Sequence, residues 1–267
     1  MNKKKHMKIG NFTIDQNSPV FIIAELSANH NGSIETAKET VRAARRAGAN
    51  CIKLQTFTAD TITLDAKKDD FKISQGTLWD GQYLHDLYKT TYLPWEWHEE
   101  IMKVAKQEGL ICFSSPFDPT SVEFLETLNV PAYKIASFEI TDIPLIELIA
   151  SKGKPVIIST GIAEQEDIEL ALNACKRMGN LDVALLKCTS SYPAPIEEAN
   201  MSMVKDLADR YDVISGLSDH TMGNTVPVVA TVMGAKIIEK HFILDHALGG
   251  ADASFSMDEG QFTDMVK

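Results

Sequence analysis

Long apolar stretches are absent from this chain. No run of about 18 or more hydrophobic residues occurs, and the N-terminus has no hydrophobic stretch of the secretory type. A membrane-spanning helix is therefore not expected, no membrane partner is expected, and the cytoplasm is the expected compartment. Positive charge is scarce too, with 26 Lys+Arg against 37 Asp+Glu, a formal charge of -11 and a pI near 5.1. Wholesale nucleic-acid binding needs a basic face, so nucleic acid is not an expected partner, although local basic patches stay open. Cysteine is sparse. The 4 cysteines, Cys51, Cys112, Cys175 and Cys188, show no paired-ligand spacing, and three of them fall in strand-like runs. Buried reduced thiols are expected, in preference to a disulfide or a zinc site. The Lys3-Lys4-Lys5 run reads as a solvated terminus without function.

What is present is a supply of apolar residues, 44% of 267, arranged in short runs between amphipathic segments. That alternation is the pattern of parallel strands crossed by helices. Strands are expected at Val20 to Glu25, Cys51 to Gln55, Ile111 to Ser115, Ala132 to Ser137, Pro155 to Thr160, Val183 to Thr189, Val213 to Ser218 and Ile237 to Phe242. Helices should begin near Ser33, Pro94, Pro119, Ile143, Ala163, Met201 and Asn224, several of them behind a capping or turn residue. Eight strand-helix repeats point to an α/β fold of the (β/α)8 TIM-barrel type, one domain over residues 1–267. A final helix starting near Asp258 is expected to be cut short at Lys267. The segment from Thr58 to Tyr92 is far longer than an ordinary strand-helix loop of about 2 to 6 residues. It suits a functional lid or a packed extra helix at Gln82 to Lys89, and the two are compatible.

In such a barrel the chemistry sits at the C-terminal ends of the strands. Polar residues accumulate there: Glu25, Lys53, Gln55, Ser114, Ser115, Ser137, Glu139, Ser159, Thr160, Thr189, Ser218, Asp219, His220 and His241. His220 and His241 end neighbouring strands. Two imidazoles beside Asp219 and Glu239 suit a borderline divalent ion such as Mn²⁺, Zn²⁺, Fe²⁺ or Co²⁺ better than Mg²⁺, although a buried hydrogen-bonded histidine is the alternative at each position. With only two protein ligands, coordination positions would stay open for substrate. Lys53 and Lys134, with the hydroxyls of Ser114, Ser115, Ser137, Ser159 and Ser218, describe a site for a phosphate or carboxylate. Strand alternation puts Lys134 and Ser137 on opposite faces, so one of them must lie beyond the regular strand or at a bulge. Glu25 and Glu139 follow apolar strands and could act as general acid or base, or could neutralise the lysines.

Several spaced blocks carry a family resemblance across nearly the whole chain. Phe21-Ile22-Ile23-Ala24-Glu25 through Asn29-His30-Asn31-Gly32-Ser33, Ile52-Lys53-Leu54-Gln55, Phe113-Ser114-Ser115-Pro116-Phe117-Asp118, Tyr133-Lys134-Ile135-Ala136-Ser137, Gly216-Leu217-Ser218-Asp219-His220 and Glu239-Lys240-His241-Phe242 resemble the sialic acid synthase family. The stretches Thr77-Leu78-Trp79-Asp80-Gly81, Leu87-Tyr88-Lys89 through Pro94-Trp95-Glu96-Trp97, and Lys187-Cys188-Thr189-Ser190-Ser191-Tyr192-Pro193 most resemble its pseudaminic acid branch.

The resemblance implies a transferase that condenses phosphoenolpyruvate with an open-chain acetamido sugar, giving a nine-carbon 2-keto acid and inorganic phosphate. For the pseudaminic branch the sugar would be 2,4-diacetamido-2,4,6-trideoxy-L-altrose. N-acetylneuraminate or legionaminate synthesis is the alternative within the family. By the same resemblance His220 and His241 hold a divalent metal, with Mn²⁺ foremost and Mg²⁺ or Co²⁺ as alternatives. Lys53, Ser115, Lys134, Ser137, Ser159, Ser190, Tyr192 and Ser218 contact phosphoenolpyruvate, Glu25 and Glu139 are catalytic, and Asp252 and Gln55 meet the sugar. Family members continue into a small antifreeze-like domain that reaches the barrel of the partner in a homodimer. Such a domain is not expected in these 267 residues, so this form should bind phosphoenolpyruvate and metal yet turn over sugar weakly or not at all. Two rivals remain: another barrel enzyme, such as a metal-dependent aldolase or an eight-carbon keto sugar acid synthase, and a non-catalytic barrel acting as a binding module.

Overall fold

In a computed structural model describing residues 5–74 and 76–267, the chain opens with an antiparallel hairpin, β1 (His6–Ile9) and β2 (Phe12–Asp15). Eight parallel strands follow: β3 (Phe21–Glu25), β4 (Cys51–Thr56), β5 (Ile111–Pro116), β6 (Tyr133–Ile135), β7 (Val156–Ser159), β8 (Val183–Cys188), β9 (Ile214–Asp219) and β10 (Ile237–His241). They pair in chain order, and β10 closes the barrel against β3. All eight expected strands are present, with ends within a residue or two of the expected ones.

The helices α1 (Ile34–Arg46), α2 (Ala59–Ile62), α3 (Leu84–Thr91), α4 (His98–Gln107), α5 (Pro119–Thr127), α6 (Ile143–Ala150), α7 (Gln165–Arg177), α8 (Ser202–Tyr211), α9 (Thr225–Val232) and α10 (Glu259–Val266) fill the connections. Local chemistry starts them. Ser33 accepts the Thr36 N–H at 3.2 Å, Asp118 caps α5 just before Pro119, and Asp258 and Gln261 form a reciprocal capping box on α10. On α1 the buried face is Ala37, Thr40, Val41 and Ala44, the i, i+3, i+4, i+7 stripe that packs on the barrel.

Strands β7, β9 and β10 are buried along their whole length because helices cover one face and the barrel interior the other. Their alternation shows in where the polar tips point. Inside, Gly216 lets β9 and β10 approach: an added Cβ would lie 2.2 Å from the Ile237 carbonyl oxygen.

The hairpin has a two-residue Gly10-Asn11 connection between Met7, Ile9 and Phe12, Ile14, a period-2 pattern with a turn dipeptide. Met7, Ile9 and Ile14 join the core cluster that holds Phe21, Ile23 and Phe113, and Phe12 lies 5.0 Å from Phe21 ring to ring. The hairpin therefore packs at the N-terminal end of the barrel, opposite the strand C-termini. Lys3 and Lys4 lie outside the described residues, but Lys5 is not loosely solvated: its ammonium donates to the Ala208 carbonyl at 2.6 Å and pairs with Asp212 at 3.1 Å. All four cysteines are buried and reduced, as expected. Among the described residues no helix is long and apolar enough to cross a membrane.

The long connection after β4 contains α3, beginning two residues later than the helix expected from sequence, and an isolated antiparallel bridge between Lys72 and Tyr83. Ile62, Ile73, Trp79, Leu84 and Leu87 from this connection face the cavity at the barrel mouth, so it is both an added helix and a wall of the site.

Candidate active site

Register explains how distant residues meet. Glu25 at the end of β3 stands level with Lys53 on β4 and with His241 on β10, and Glu239 stands level with Ser218 on β9. With period 2, Lys53 and Gln55 share the inner face of β4, and Glu239 and His241 share that of β10. All open onto one cavity of about 770 Å³ at the C-terminal rim. It is lined by thirteen of the fourteen residues expected from sequence: Glu25, Lys53, Gln55, Lys134, Ser137, Glu139, Ser159, Ser190, Tyr192, Ser218, His220, His241 and Asp252.

Ser115 is the exception. It is level with Gln55 on β5, but its buried hydroxyl has no hydrogen-bond partner and does not line the cavity. Four further polar residues expected on this face are turned to other work. Ser114 meets the Thr56 hydroxyl at 2.6 Å, Thr160 donates to the Leu186 carbonyl at 3.1 Å, and Thr189 donates to the Glu198 carbonyl at 3.2 Å. Asp219 points outward, where it forms a buried ion pair with Lys240, whose ammonium also binds the carbonyls of Thr221 at 2.5 Å and Gly223 at 3.2 Å. Asp219 therefore anchors the loop beyond His220 instead of standing beside the imidazoles, because it is one residue out of phase with Ser218 and His220.

At the base of the cavity lies a buried charge cluster. Lys53 Nζ is 2.8 Å from Glu239 Oε1 and 3.1 Å from Glu25 Oε1, and Lys134 Nζ is 3.4 Å from Glu239 Oε1. Lys134 also donates to Ser159 Oγ at 2.7 Å, Ser218 donates to Glu239 at 3.1 Å, and Gln55 donates to Glu25 at 2.8 Å. Sequence reasoning weighed Glu239 only as a neighbour of a metal. The available signal was its period-2 placement with His241, in a barrel whose interior also had to hold two lysines from β4 and β6.

The environments set different protonation states. Burial alone would raise the Glu25 carboxyl, but Lys53, His241 and Lys134 overcome it and hold that group well below the usual carboxylate range. Burial likewise opposes ionisation of Glu239, yet Lys134 and Lys53 keep its pKa lowered. Burial works against the Lys53 ammonium, and Glu239 and Glu25 reverse the balance to about 12. Lys134 ends lower than a free lysine because of burial, with Lys53 adding to it. Glu139 lacks a close cation. Burial raises it to about 7, against its own backbone N–H and then Lys134, and its Oε2 has no hydrogen-bond partner.

Ser137 begins a 3-10 turn (Ser137–Thr141) after β6 has ended at Ile135. That resolves the phase conflict with Lys134, since Ser137 lies beyond the regular strand. Its oxygen accepts from the Ile162 N–H at 3.0 Å and from the Ser190 hydroxyl at 2.9 Å, which leaves its own proton to donate into the cavity. Gly161 makes this possible, because a Cβ there would fall 2.2 Å from Ser190 Oγ and 2.6 Å from Ser137 Oγ.

The two imidazoles do converge, ring centroids 5.3 Å apart and edge to face. His220 Nδ1 lies 2.9 Å from the Thr189 carbonyl and so carries the proton, leaving Nε2 with its lone pair. His241 lies between carboxylates, with Nε2 3.4 Å from Glu25 and Nδ1 3.7 Å from Asp252, and that Nδ1 is buried without a hydrogen bond. Tyr192 packs over His220 at 4.3 Å and Phe255 against His241 at 5.0 Å. Asp252 is held by the Ser27 hydroxyl and, at 3.4 Å, by the Ala28 N–H. An orphaned imidazole nitrogen and a second imidazole with a free lone pair fit a divalent cation. Among the described residues no set of three or more ligating side chains is assembled, so the remaining positions would fall to water or substrate.

Residues 40–267 match the NeuB family. The chain belongs to that family. It is 48% identical over 260 residues to a pseudaminic acid synthase of Campylobacter jejuni, an alignment spanning 97% of this chain and 75% of the relative. An N,N'-diacetyllegionaminic acid synthase of Legionella pneumophila is 39% identical over 252 residues, 92% of this chain and 70% of the relative. Among solved structures, an N-acetylneuraminic acid synthetase from Leptospira borgpetersenii, in complex with citrate, superposes with a TM-score of 0.88 at 31% identity, covering 98% of this chain and 87% of that one. The closed parallel barrel and the family expected from the sequence blocks are thus both present.

Proposed function

We propose that the chain is a pseudaminic acid synthase that joins C3 of phosphoenolpyruvate to the aldehyde carbon of 2,4-diacetamido-2,4,6-trideoxy-L-altrose. The observation that carries this reading is the meeting, in one cavity, of two buried ammonium groups, a serine cluster and two imidazoles, in a chain 48% identical to a pseudaminic acid synthase. Lys53 and Lys134 bind the anionic ends of phosphoenolpyruvate, with Ser137 and Ser159 donating to its oxygens and Ser190 and Ser218 holding Ser137 and Glu239 in place beside them; charge-assisted bonds in a desolvated site supply the affinity. His220 and His241 would hold a divalent cation such as Mn²⁺, which supplies Lewis-acid polarisation of the sugar aldehyde.

As the C3–C1 bond forms, the enol phosphate carbon C2 becomes electron-poor, and the ionised Glu25 carboxylate, steadied by Gln55, stabilises it. Water adds at C2 and the C2–O bond to phosphate breaks, leaving the 2-keto acid and inorganic phosphate. Glu139, raised to about 7, takes one proton from this water and gives it up to the C1 oxygen left as alkoxide by the aldehyde, while the second water proton leaves with phosphate. Asp252 and the amide of Gln55 meet sugar hydroxyls at the mouth.

The test is to incubate the protein, as these 267 residues and in a form of the relatives' full length, with phosphoenolpyruvate, Mn²⁺ and a panel of acetamido sugars. A keto acid with the mass of condensed diacetamido trideoxyhexose, together with released phosphate, is expected. A product from N-acetylmannosamine alone would move the reading to neuraminate synthesis, and no keto acid from either form of the protein would overturn it.

A further inference from the structure

One indole separates two cavities. Trp79, with Leu87 and Ala251, lines both the 770 Å³ cavity and an outer one of about 610 Å³, whose wall also includes Gln82, Thr90, His246 and Ser254. Its N–H donates to the Ala251 carbonyl at 3.2 Å, beside Asp252. Its ring centroid stands 6.0 Å from Tyr192 and 6.4 Å from Phe255, the two rings that pack on His220 and His241. The indole is therefore one aromatic ring further out than the imidazoles.

A self-closed turn presents it. The Asp80 carboxylate accepts the N–H groups of Gly76 and Thr77 and the Thr77 hydroxyl, each at 2.9 Å. With its single donor already engaged, the indole has only an apolar face left for a ligand, and Ile62, Ile73, Leu84 and Leu87 from the same connection extend that face along the wall. A hydroxyl laid against the indole face itself would lose water without gaining a partner from it, the polar side chains Gln82, Thr90, His246 and Ser254 lining the outer cavity instead.

We propose that Trp79 is a specificity-determining residue that reads the end of the sugar farthest from the bond-forming carbon, selecting a methyl-bearing, deoxygenated terminus over a hydroxymethyl one. This rests on the functional reading above, in which the aldehyde lies by His220 and His241 and phosphoenolpyruvate by the lysines. An open-chain sugar running outward past Gln55 and Asp252 then brings its distal carbons to the indole. One methyl-sized difference in an apolar pocket discriminates by about tenfold to a hundredfold.

The experiment compares kcat/KM for the diacetamido trideoxy sugar and for its 6-hydroxy counterpart, 2,4-diacetamido-2,4-dideoxy-L-altrose, in wild type, Trp79→Phe and Trp79→Ala. In Trp79→Ala the preference for the deoxy sugar should fall by at least about tenfold, through the KM of that sugar, with phosphoenolpyruvate KM unchanged and Trp79→Phe keeping most of the preference. Equal losses for both sugars, or a parallel loss of phosphoenolpyruvate affinity, would assign Trp79 to packing and overturn the proposal. Tryptophan emission gives a readout free of turnover. Adding sugar to the protein with phosphoenolpyruvate should change emission in wild type and not in Trp79→Phe, and a change that survives in Trp79→Phe overturns the proposal as well. Absence of keto acid from every sugar defeats the functional reading, whereas keto acid formed with an unmoved preference defeats only the role of Trp79.

Discussion

Replacing Glu239 by Gln should destabilise the fold and, at the same time, raise the affinity of the site for an anion. In the native cluster Lys53 and Lys134 are balanced by Glu25 and Glu239. Glutamine keeps the shape but leaves one buried positive charge uncompensated, a change that costs about 3–5 kcal/mol when nothing relaxes. Lys134 can relax. Glu239 is its strongest opposing influence against burial, so without that carboxylate the Lys134 ammonium gives up its proton more readily and the cost settles near the lower end of that range. With a urea m value of about 3 kcal/mol/M for a chain of this size, the unfolding midpoint should fall by about 1 M. Lowering the pH should widen the gap between variant and wild type, because it forces the proton back onto Lys134. Phosphoenolpyruvate should narrow it, since an anion that binds only the folded state stabilises in proportion to its affinity. A midpoint within about 0.2 M of wild type, or a ligand-induced rise smaller than that of wild type, would refute the assignment of Glu239 as the counter-charge of the two lysines.

Gly161→Ala should break the Ser137–Ser190 contact and weaken phosphoenolpyruvate binding by on the order of tenfold, the worth of one hydrogen bond to a charged ligand, checked by isothermal titration; unchanged affinity would mean that Ser137 does not donate to the ligand. Glu139 is expected to give a bend in kcat/KM near pH 7, with activity rising through it, and Glu139→Gln should remove the bend while lowering the rate about 10²- to 10⁴-fold. The same residue opposes stability. Its folded pKa is raised, so stability present below the unfolded value is lost as pH rises towards 7, and Glu139→Gln should gain up to about 3 kcal/mol at pH 8 and little at pH 4. His98, buried against Thr56 and held down to about pKa 4 by burial, acts in the opposite sense. Stability present above pH 6.5 should be lost as pH falls, by about 2 kcal/mol at pH 5, and a His98→Gln variant with the same acid slope as wild type would contradict this.

Much of the fold could be read directly because a parallel barrel writes its strands as short apolar runs at a nearly regular spacing. Register then placed most of the site, since residues at equivalent ends of parallel strands must share a rim. What escaped was phase. Ser114 and Asp219 sit on strands with buried neighbours on both sides, where the polarity pattern no longer tells inside from outside, and only their partners Thr56 and Lys240 show that they face outward. The β1–β2 hairpin escaped for another reason. Its strands are four residues each, and the Gly10-Asn11 turn between alternating apolar residues was legible but lies ahead of the first barrel strand, where a strand-helix count does not look. Glu239 was hidden in plain view, because a carboxylate two residues before a histidine reads as a metal neighbour until two lysines are seen to need it.

Three carboxylates at one rim are held in three charge environments, and the difference lies in what stands next to each. Glu25 is level with Lys53 and His241 and is forced to stay charged. Glu239 lies between the two ammonium groups, so its charge is already committed to them. Glu139, on a turn beyond the end of β6, has no cation within ion-pair distance and is left able to gain and lose a proton near neutrality. Under the proposed mechanism, separating pKa values by environment in this way would let one residue type serve as electrostatic stabiliser, counter-charge and proton carrier in the same cavity. The division rests on the lysines more than on the glutamates. Lys134→Met would remove the cation that Glu239 shares with Lys53 and the one that restrains Glu139, so the Glu139 pKa should climb further above 7, and the alkaline rise in kcat/KM should move with it.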